Sequence, residues 1–115
     1  HYKEKSEYVG NYEYDLIIKN KKVDVKTKKT TTKPKPHYYA SISNANTTQE
    51  CDYYCFVRVD ECYPITKRAW ILGWKSKGDF FKEATFNRKG EIDPTSEYDW
   101  EFKDDCWNLG ISKLD

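Results

Sequence analysis

Two aspartates and a lysine, Asp15, Asp24 and Lys26, are the residues whose types and spacing point most directly to chemistry. They fall in Tyr14-Asp15-Leu16-Ile17-Ile18 and Val23-Asp24-Val25-Lys26, on either side of Lys19-Asn20-Lys21-Lys22. That connector is a turn signal with Asn at its centre. Side chains alternate across a strand. A hairpin folded about Asn20-Lys21 pairs Ile18 with Val23, Ile17 with Asp24 and Asp15 with Lys26. One face then holds Leu16, Ile18, Val23 and Val25, an aliphatic set that should be core. The other holds Asp15, Asp24 and Lys26, with Ile17 among them, and should line a cleft.

On that register Asp15 and Asp24 are diagonal neighbours, with Cα atoms about 7–8 Å apart. Clustered carboxylates repel unless a positive charge sits between them. Mg²⁺, for which Mn²⁺ can substitute, takes one or two carboxylates and still accepts a phosphate oxygen. The Val25 carbonyl adds a further oxygen at the same place. Lys26 on that face can stabilise charge building on an attacked phosphate, or orient the attacking water. The same residues also permit a plain cross-strand ion pair between Asp15 and Lys26 beside a solvated Asp24.

The surrounding charge favours a polyanion. The net charge of +1 conceals a segment of net +7 over Lys19–Lys35 and one of net −6 over Glu91–Asp105. Lys19, Lys21, Lys22, Lys28, Lys29 and Lys33 can hold phosphates electrostatically. A solvated lysine-rich face is the plain alternative. Tyr38-Tyr39 and Tyr53-Tyr54 offer rings on which bases stack. Arg58 interrupts an apolar strand, where it can meet an acid or a phosphate. No glycine-rich phosphate loop and no Ser–His–Asp grouping occurs in the chain.

The elements that must position these residues are mostly strands. Tyr12–Ile18, Val23–Lys29, His37–Ser43, Tyr53–Val59 and Ala69–Trp74 read as strands. The fourth is apolar on both faces up to Arg58 and therefore central. The fifth pairs with it as a hairpin. Ser76 is an N-cap with Asp79 three residues on, opening a helix that presents Phe80, Phe81 and Ala84 and stops at Gly90. The rest is an acidic, irregular stretch with an apolar finish at Trp107, Leu109, Ile111 and Leu114. The order fits an α/β or α+β sheet with helices beside it.

Asp15 … Asp24-Val25-Lys26 resembles the signature of the PD-(D/E)xK nuclease superfamily, in which Asp and Asp/Glu-x-Lys lie on successive strands of a hairpin. Cys51-Asp52-Tyr53-Tyr54-Cys55-Phe56-Val57 resembles the apolar strand that follows the family's core hairpin, and the run Ile71-Leu72-Gly73-Trp74 before a helix and the ending Asp105 to Leu114 are similar to small, often phage-encoded members. The resemblance implies an α/β, restriction-endonuclease-like fold: a mixed β-sheet core with flanking helices, one domain over residues 1–115. It implies a metal-dependent nuclease with Asp15, Asp24 and Val25 at Mg²⁺ and Lys26 catalytic. Its substrate is nucleic acid, DNA before RNA, with no membrane partner and with room for a homodimer. The family's first helix contributes a Glu near the metal. Residues 1–11 are too short for most of that helix, so it is expected to be truncated, with Glu4 or Glu7 as the available carboxylates. Members of this superfamily that have lost activity make an inactive nucleic-acid-binding or phage assembly protein the alternative.

Composition sets the outer bounds. A chain of 115 residues is one domain's length. Charged residues reach 34%, which alone leans towards disorder, but 17% aromatic residues supply the buried area a folded domain needs. No stretch approaches the roughly 20 apolar residues of a membrane span. The chain contains no Met and opens on His1, so an upstream segment is expected. Cys51, Cys55, Cys62 and Cys106 are separated by three, six and forty-three residues, and no His lies near the first three. Such spacing does not favour a zinc site. Reduced thiols and a cytoplasmic protein are expected, with Cys55 packing as a small hydrophobe.

Overall fold

The computed structural model describes residues 6–8, 13–60 and 68–115. Glu4, Tyr12, Cys62 and Pro64 lie outside the described residues. The described residues form a mixed α/β fold of two sheets and one α-helix. The larger sheet contains β1 (Ser6–Tyr8), β2 (Leu16–Ile18), β3 (Lys21–Thr30), β5 (Tyr53–Asp60) and β6 (Arg68–Ser76), in that spatial order. The smaller has β8 (Cys106–Gly110) at its centre, between β4 (Tyr39–Ser43) and β7 (Thr85–Asn87). Among the described residues only β3 and β5 pair in parallel. A parallel pair needs a crossover, and here residues 31–52 provide it, carrying β4 and a 3₁₀ turn at Asn44–Asn46.

Both neighbours of β5 follow from its composition. Tyr54, Cys55 and Phe56 are all buried, so the strand is covered on both faces and has partners on both edges. Its pairing with β6 slips between Phe56 and Val57, at a bulge beside Gly73. Gly73 has φ of 144°, and a Cβ there would lie 2.8 Å from Leu114 Cβ and from the Asp115 carbonyl oxygen. No side chain fits that approach, so the bulge lets the C-terminal residues pair with Trp74 in both directions. At the far end of the hairpin, the fully buried Asp60 accepts from two nitrogens of Arg68.

The helix α1 (Lys77–Glu83) starts where the cap predicts, with Ser76 Oγ accepting from Asp79 N. It ends at Glu83, short of Gly90, because Ala84 turns extended and leads into β7. Its buried Phe80 joins Tyr54 and Phe56 of β5, Ala40 and Ile42 of β4, and Leu109 of β8 in one cluster. That cluster locks the two sheets together. Asn108, 1% exposed, pins the smaller sheet by bonding Ser41 on one neighbour and Asn87 on the other.

Three expectations change. The described residues hold one seven-residue α-helix, and the smaller sheet does much of the covering assigned to flanking helices. Ser6–Tyr8 is an edge strand, with Glu7 in register with Ile17, rather than the remnant of a helix. The acidic stretch ends in a central strand, β8, whose alternation is masked by its brevity. No helix among the described residues is long and apolar enough to cross a membrane. Cys51, Cys55 and Cys106 are buried free thiols.

Candidate active site

The hairpin between β2 and β3 turns on two residues. Lys19 and Asn20 both have positive φ, 49° and 64°, the conformation of the tight turns that match strand twist. The pairs are therefore Ile18 with Lys21, Ile17 with Lys22 and Leu16 with Val23. This register is two residues away from that of a turn about Asn20-Lys21. A shift of two preserves every face, so Asp15, Asp24 and Lys26 stay on one side. It changes their neighbours: continued one step, it sets Asp15 opposite Asp24 instead of opposite Lys26.

Asp15 lies just beyond the end of β2. Its amide donates to the Val23 carbonyl, and its Oδ2 accepts from the Val25 amide at 2.8 Å. The carboxylate thus takes over the edge of β3 where the backbone ladder of β2 has ended. Asp24 is 4% exposed, and its Oδ2 lies 2.7 Å from Lys26 Nζ. Lys26 Nζ also donates to Gln49 Oε1 at 2.7 Å and sits over the Tyr54 ring at 5.8 Å. Gln49, 4% exposed, in turn accepts through its backbone carbonyl from Lys77 Nζ.

Burial pushes the Asp24 carboxyl above its ordinary value, Lys26 opposes the shift, and the nearby Asp15 adds to it. The Cys51 thiol beside them is raised mainly by burial. The polar face of the hairpin is consequently the inward one at Asp24. It lies in register with Tyr54 and Phe56 of the core cluster and is covered by Gln49 and Cys51 from the loop before β5. The expected cleft exposure of Asp24 and Lys26 is corrected accordingly. The physical reason is the crossover: it returns over this face of β3 before entering β5.

The structure brings Asp15, Asp24, Val25 and Lys26 together as the spacing suggests. The six other lysines do not form one patch. Lys19, Lys21 and Lys22 are exposed at the hairpin tip, Lys28 and Lys29 point to opposite faces farther along β3, and Lys33 is in the following loop. The tip and the far end of a ten-residue strand are roughly 30 Å apart. Lys22 Nζ is held over the Tyr14 ring at 5.4 Å, and Lys28 Nζ over Trp100 at 5.1 Å. Gln49 escaped the sequence reading because nothing local marks a glutamine in a polar loop as a partner for a lysine 23 residues away.

The residues fit a divalent ion as a pair of acids, one buried and held above its ordinary pKa. Among the described residues no group of three or more His, Cys, Asp or Glu side chains converges. Any ion here would therefore rest on two carboxylates, backbone and solvent, a donor set that suits Mg²⁺ better than zinc. Neither a family model, nor a curated protein, nor a solved structure matches this chain.

Proposed function

We propose that the chain is a metal-dependent nuclease of restriction-endonuclease-like fold, hydrolysing phosphodiester bonds in nucleic acid, with DNA the first substrate to test. One observation carries the reading: a buried Asp24 with a second carboxylate, Asp15, and a lysine, Lys26, at the same point of a central strand. The mixed sheet with β3 at its middle supports it, since the hairpin motif implies a mixed sheet.

Asp15, Asp24 and the Val25 carbonyl would hold Mg²⁺ or Mn²⁺, which supplies Lewis-acid polarisation of the phosphoryl oxygen and a more acidic water. Lys26 brings a positive charge to the phosphate as charge accumulates on it, and Gln49 holds that ammonium in place. In the overall reaction water oxygen bonds to phosphorus and the bond from phosphorus to the leaving sugar oxygen breaks. That oxygen takes a proton and the attacking water loses one. Because Asp24 is 4% exposed, a phosphodiester reaches it only when the loop carrying Gln49 shifts.

A second reading is a nucleic-acid-binding or phage assembly protein that keeps the fold without catalysis. The closed Asp24–Lys26 pair and the Val25 amide on Asp15 favour it, because together they satisfy both acids without an ion. Incubating the protein with DNA and RNA in Mg²⁺ or Mn²⁺, beside Asp24→Asn, separates the two. Metal-dependent cleavage lost in the variant supports the nuclease. Inactivity on every substrate, with no Mn²⁺ binding, supports the second reading.

A further inference from the structure

Two positive side chains occupy neighbouring positions at the other end of the parallel pair. Lys28 on β3 and Arg58 on β5 are register partners, so they stand on one face of adjacent strands. Strands in a sheet are about 4.8 Å apart, a short separation for like charges. Arg58 is 8% exposed, and its guanidinium bonds the Tyr39 carbonyl, a neutral acceptor. Among the described residues no carboxylate comes within ion-pair distance of either cation. Desolvation, and then the charge of Arg58, hold the Lys28 ammonium below its ordinary pKa. A buried charge that no carboxylate closes on is costly; Arg58 is such a charge, with the exposed Lys28 of the same sign beside it and Asp93 acting on both only at a distance.

The space in front of them is built. A cleft of about 450 Å³ has Lys28, Arg58, Tyr98 and Trp100 in its lining, together with the carboxylates Asp93 and Glu97. Its outer wall, the 93–100 loop, is braced from within. Asp93 N donates to the Trp100 carbonyl, Asp93 Oδ1 accepts from both the amide and the hydroxyl of Thr95, and Ser96 Oγ accepts from Trp100 N. Asp93 is the acid that acts on the two cations: Thr95 engages its Oδ1, and its charge still favours the cationic form of both Lys28 and Arg58 without closing on either. Glu97 at the rim pairs with Lys35 at 2.6 Å. Trp100 packs edge-on against Phe102 and remains 38% exposed, and Tyr98 is 90% exposed.

We infer that this cleft is a nucleoside-phosphate site, with the phosphate on Arg58 and Lys28 and the base stacked against the Trp100–Tyr98 wall. An arginine fork matches phosphate geometry, and a second cation beside it suits a dianion. Aromatic faces on one rim accept any base. A bare anion would leave those rings in water, and an uncharged aromatic would leave both cations unmatched. The site is independent of hydrolysis at Asp24. Lys28 is two residues from Lys26, and a small cavity lined by Lys26, Lys28 and Arg58 borders both places.

The test is calorimetric titration with deoxyadenosine 5′-monophosphate in EDTA, which silences metal chemistry, together with the Trp100 indole resonance. Saturable binding that shifts this resonance is expected. Deoxyadenosine and inorganic phosphate should each bind about tenfold more weakly or worse. Lys28→Gln, an exposed position, and Trp100→Leu should each weaken the nucleotide about tenfold. Asp24→Asn should bind like the parent, so a failed nuclease reading leaves this site standing. Arg58→Gln is the sharper change, and Lys28→Gln carries the test if it does not fold. Non-saturable binding, phosphate binding as tight as the nucleotide, or unchanged affinity in both Lys28→Gln and Trp100→Leu would overturn the inference.

Discussion

Asp24 with Lys26 on β3, and Lys28 of β3 with Arg58 of β5, stand on the same face of one sheet, one or two steps apart, and they solve the burial of charge in opposite ways. At the first place the signs differ. Lys26 closes on Asp24 at 2.7 Å, Gln49 takes another of its donors, and the group is internally satisfied. At the second place the signs agree: the guanidinium bonds a carbonyl, both cations lie over aromatic faces, and Asp93 acts on them only at a distance. A closed pair is satisfied from within and must be opened to act. An open pair of cations is held at a cost that an incoming anion relieves. The contrast predicts that the first place governs rate and the second governs affinity.

Lys26→Ala breaks or upholds that division most sharply. Cleavage should fall by on the order of a hundred- to a thousandfold, because the lost charge counts most at the attacked phosphate. Mn²⁺ binding should persist, whereas Asp15→Ala and Asp24→Ala lose metal and activity together. Single-turnover cleavage with a parallel Mn²⁺ titration reads both. A folded Lys26→Ala protein that cleaves normally removes the catalytic role.

Gln49→Leu sharpens the closed side. It deletes the second acceptor of Lys26 from a nearly dry position, so urea unfolding should show a loss of about 1.5–3 kcal/mol, the worth of a hydrogen bond to a charged group. A loss of a few tenths would mean that Lys26 is held by Asp24 alone.

On the open side, salt is the probe. Nucleic-acid affinity should fall steeply with ionic strength, and replacing Lys28 and Lys29 with Gln should reduce the log–log slope by about 0.7–0.9 for each phosphate that is no longer neutralised. Those two lysines point to opposite faces of β3, so the single variants should be unequal, with Lys28→Gln the larger. Equal single effects would indicate a diffuse field, and no salt dependence would leave binding to the aromatic residues.

The smallest effect concerns pH. Burial raises the Asp24 carboxyl above 3.8, against the pull of Lys26. A group raised on folding stabilises most when protonated. Its contribution is complete below the unfolded pKa and is lost as pH rises through the folded one. Relative to Asp24→Asn, which cannot titrate, the parent should therefore gain stability as pH is lowered from about 7 towards 4. Thermal melts across that range read the gap between the two. A parent that instead loses ground to Asp24→Asn in acid would mean that the ion pair outweighs burial.

Some of this was legible in the chain. Tyr53–Val59 announced an interior strand through its apolar run, and its neighbour β6 followed as a hairpin. Ser76 announced the start of α1. The placement of Asp15, Asp24 and Lys26 on one face followed from a period of two, and a two-residue error in the turn could not disturb it. Three-residue strands such as β1 and β7 left no such mark, since one alternation is too short to stand out from loop.

Local periodicity thus determined which residues share a face, where β5 lies and where the helix begins, because each depends on chain geometry over a few residues. Tertiary structure decided the rest. The positive φ of Lys19 and Asn20 selected the register that sets Asp15 against Asp24. The crossover carried Gln49 over Lys26, turning a face rich in charge towards the core. The 93–100 loop, far away in sequence, came to stand before Lys28 and Arg58. A strand's alternation says that two faces differ. Which one is covered, and by what, depends on segments that arrive from elsewhere in the chain, and their side chains carry no local record of the meeting.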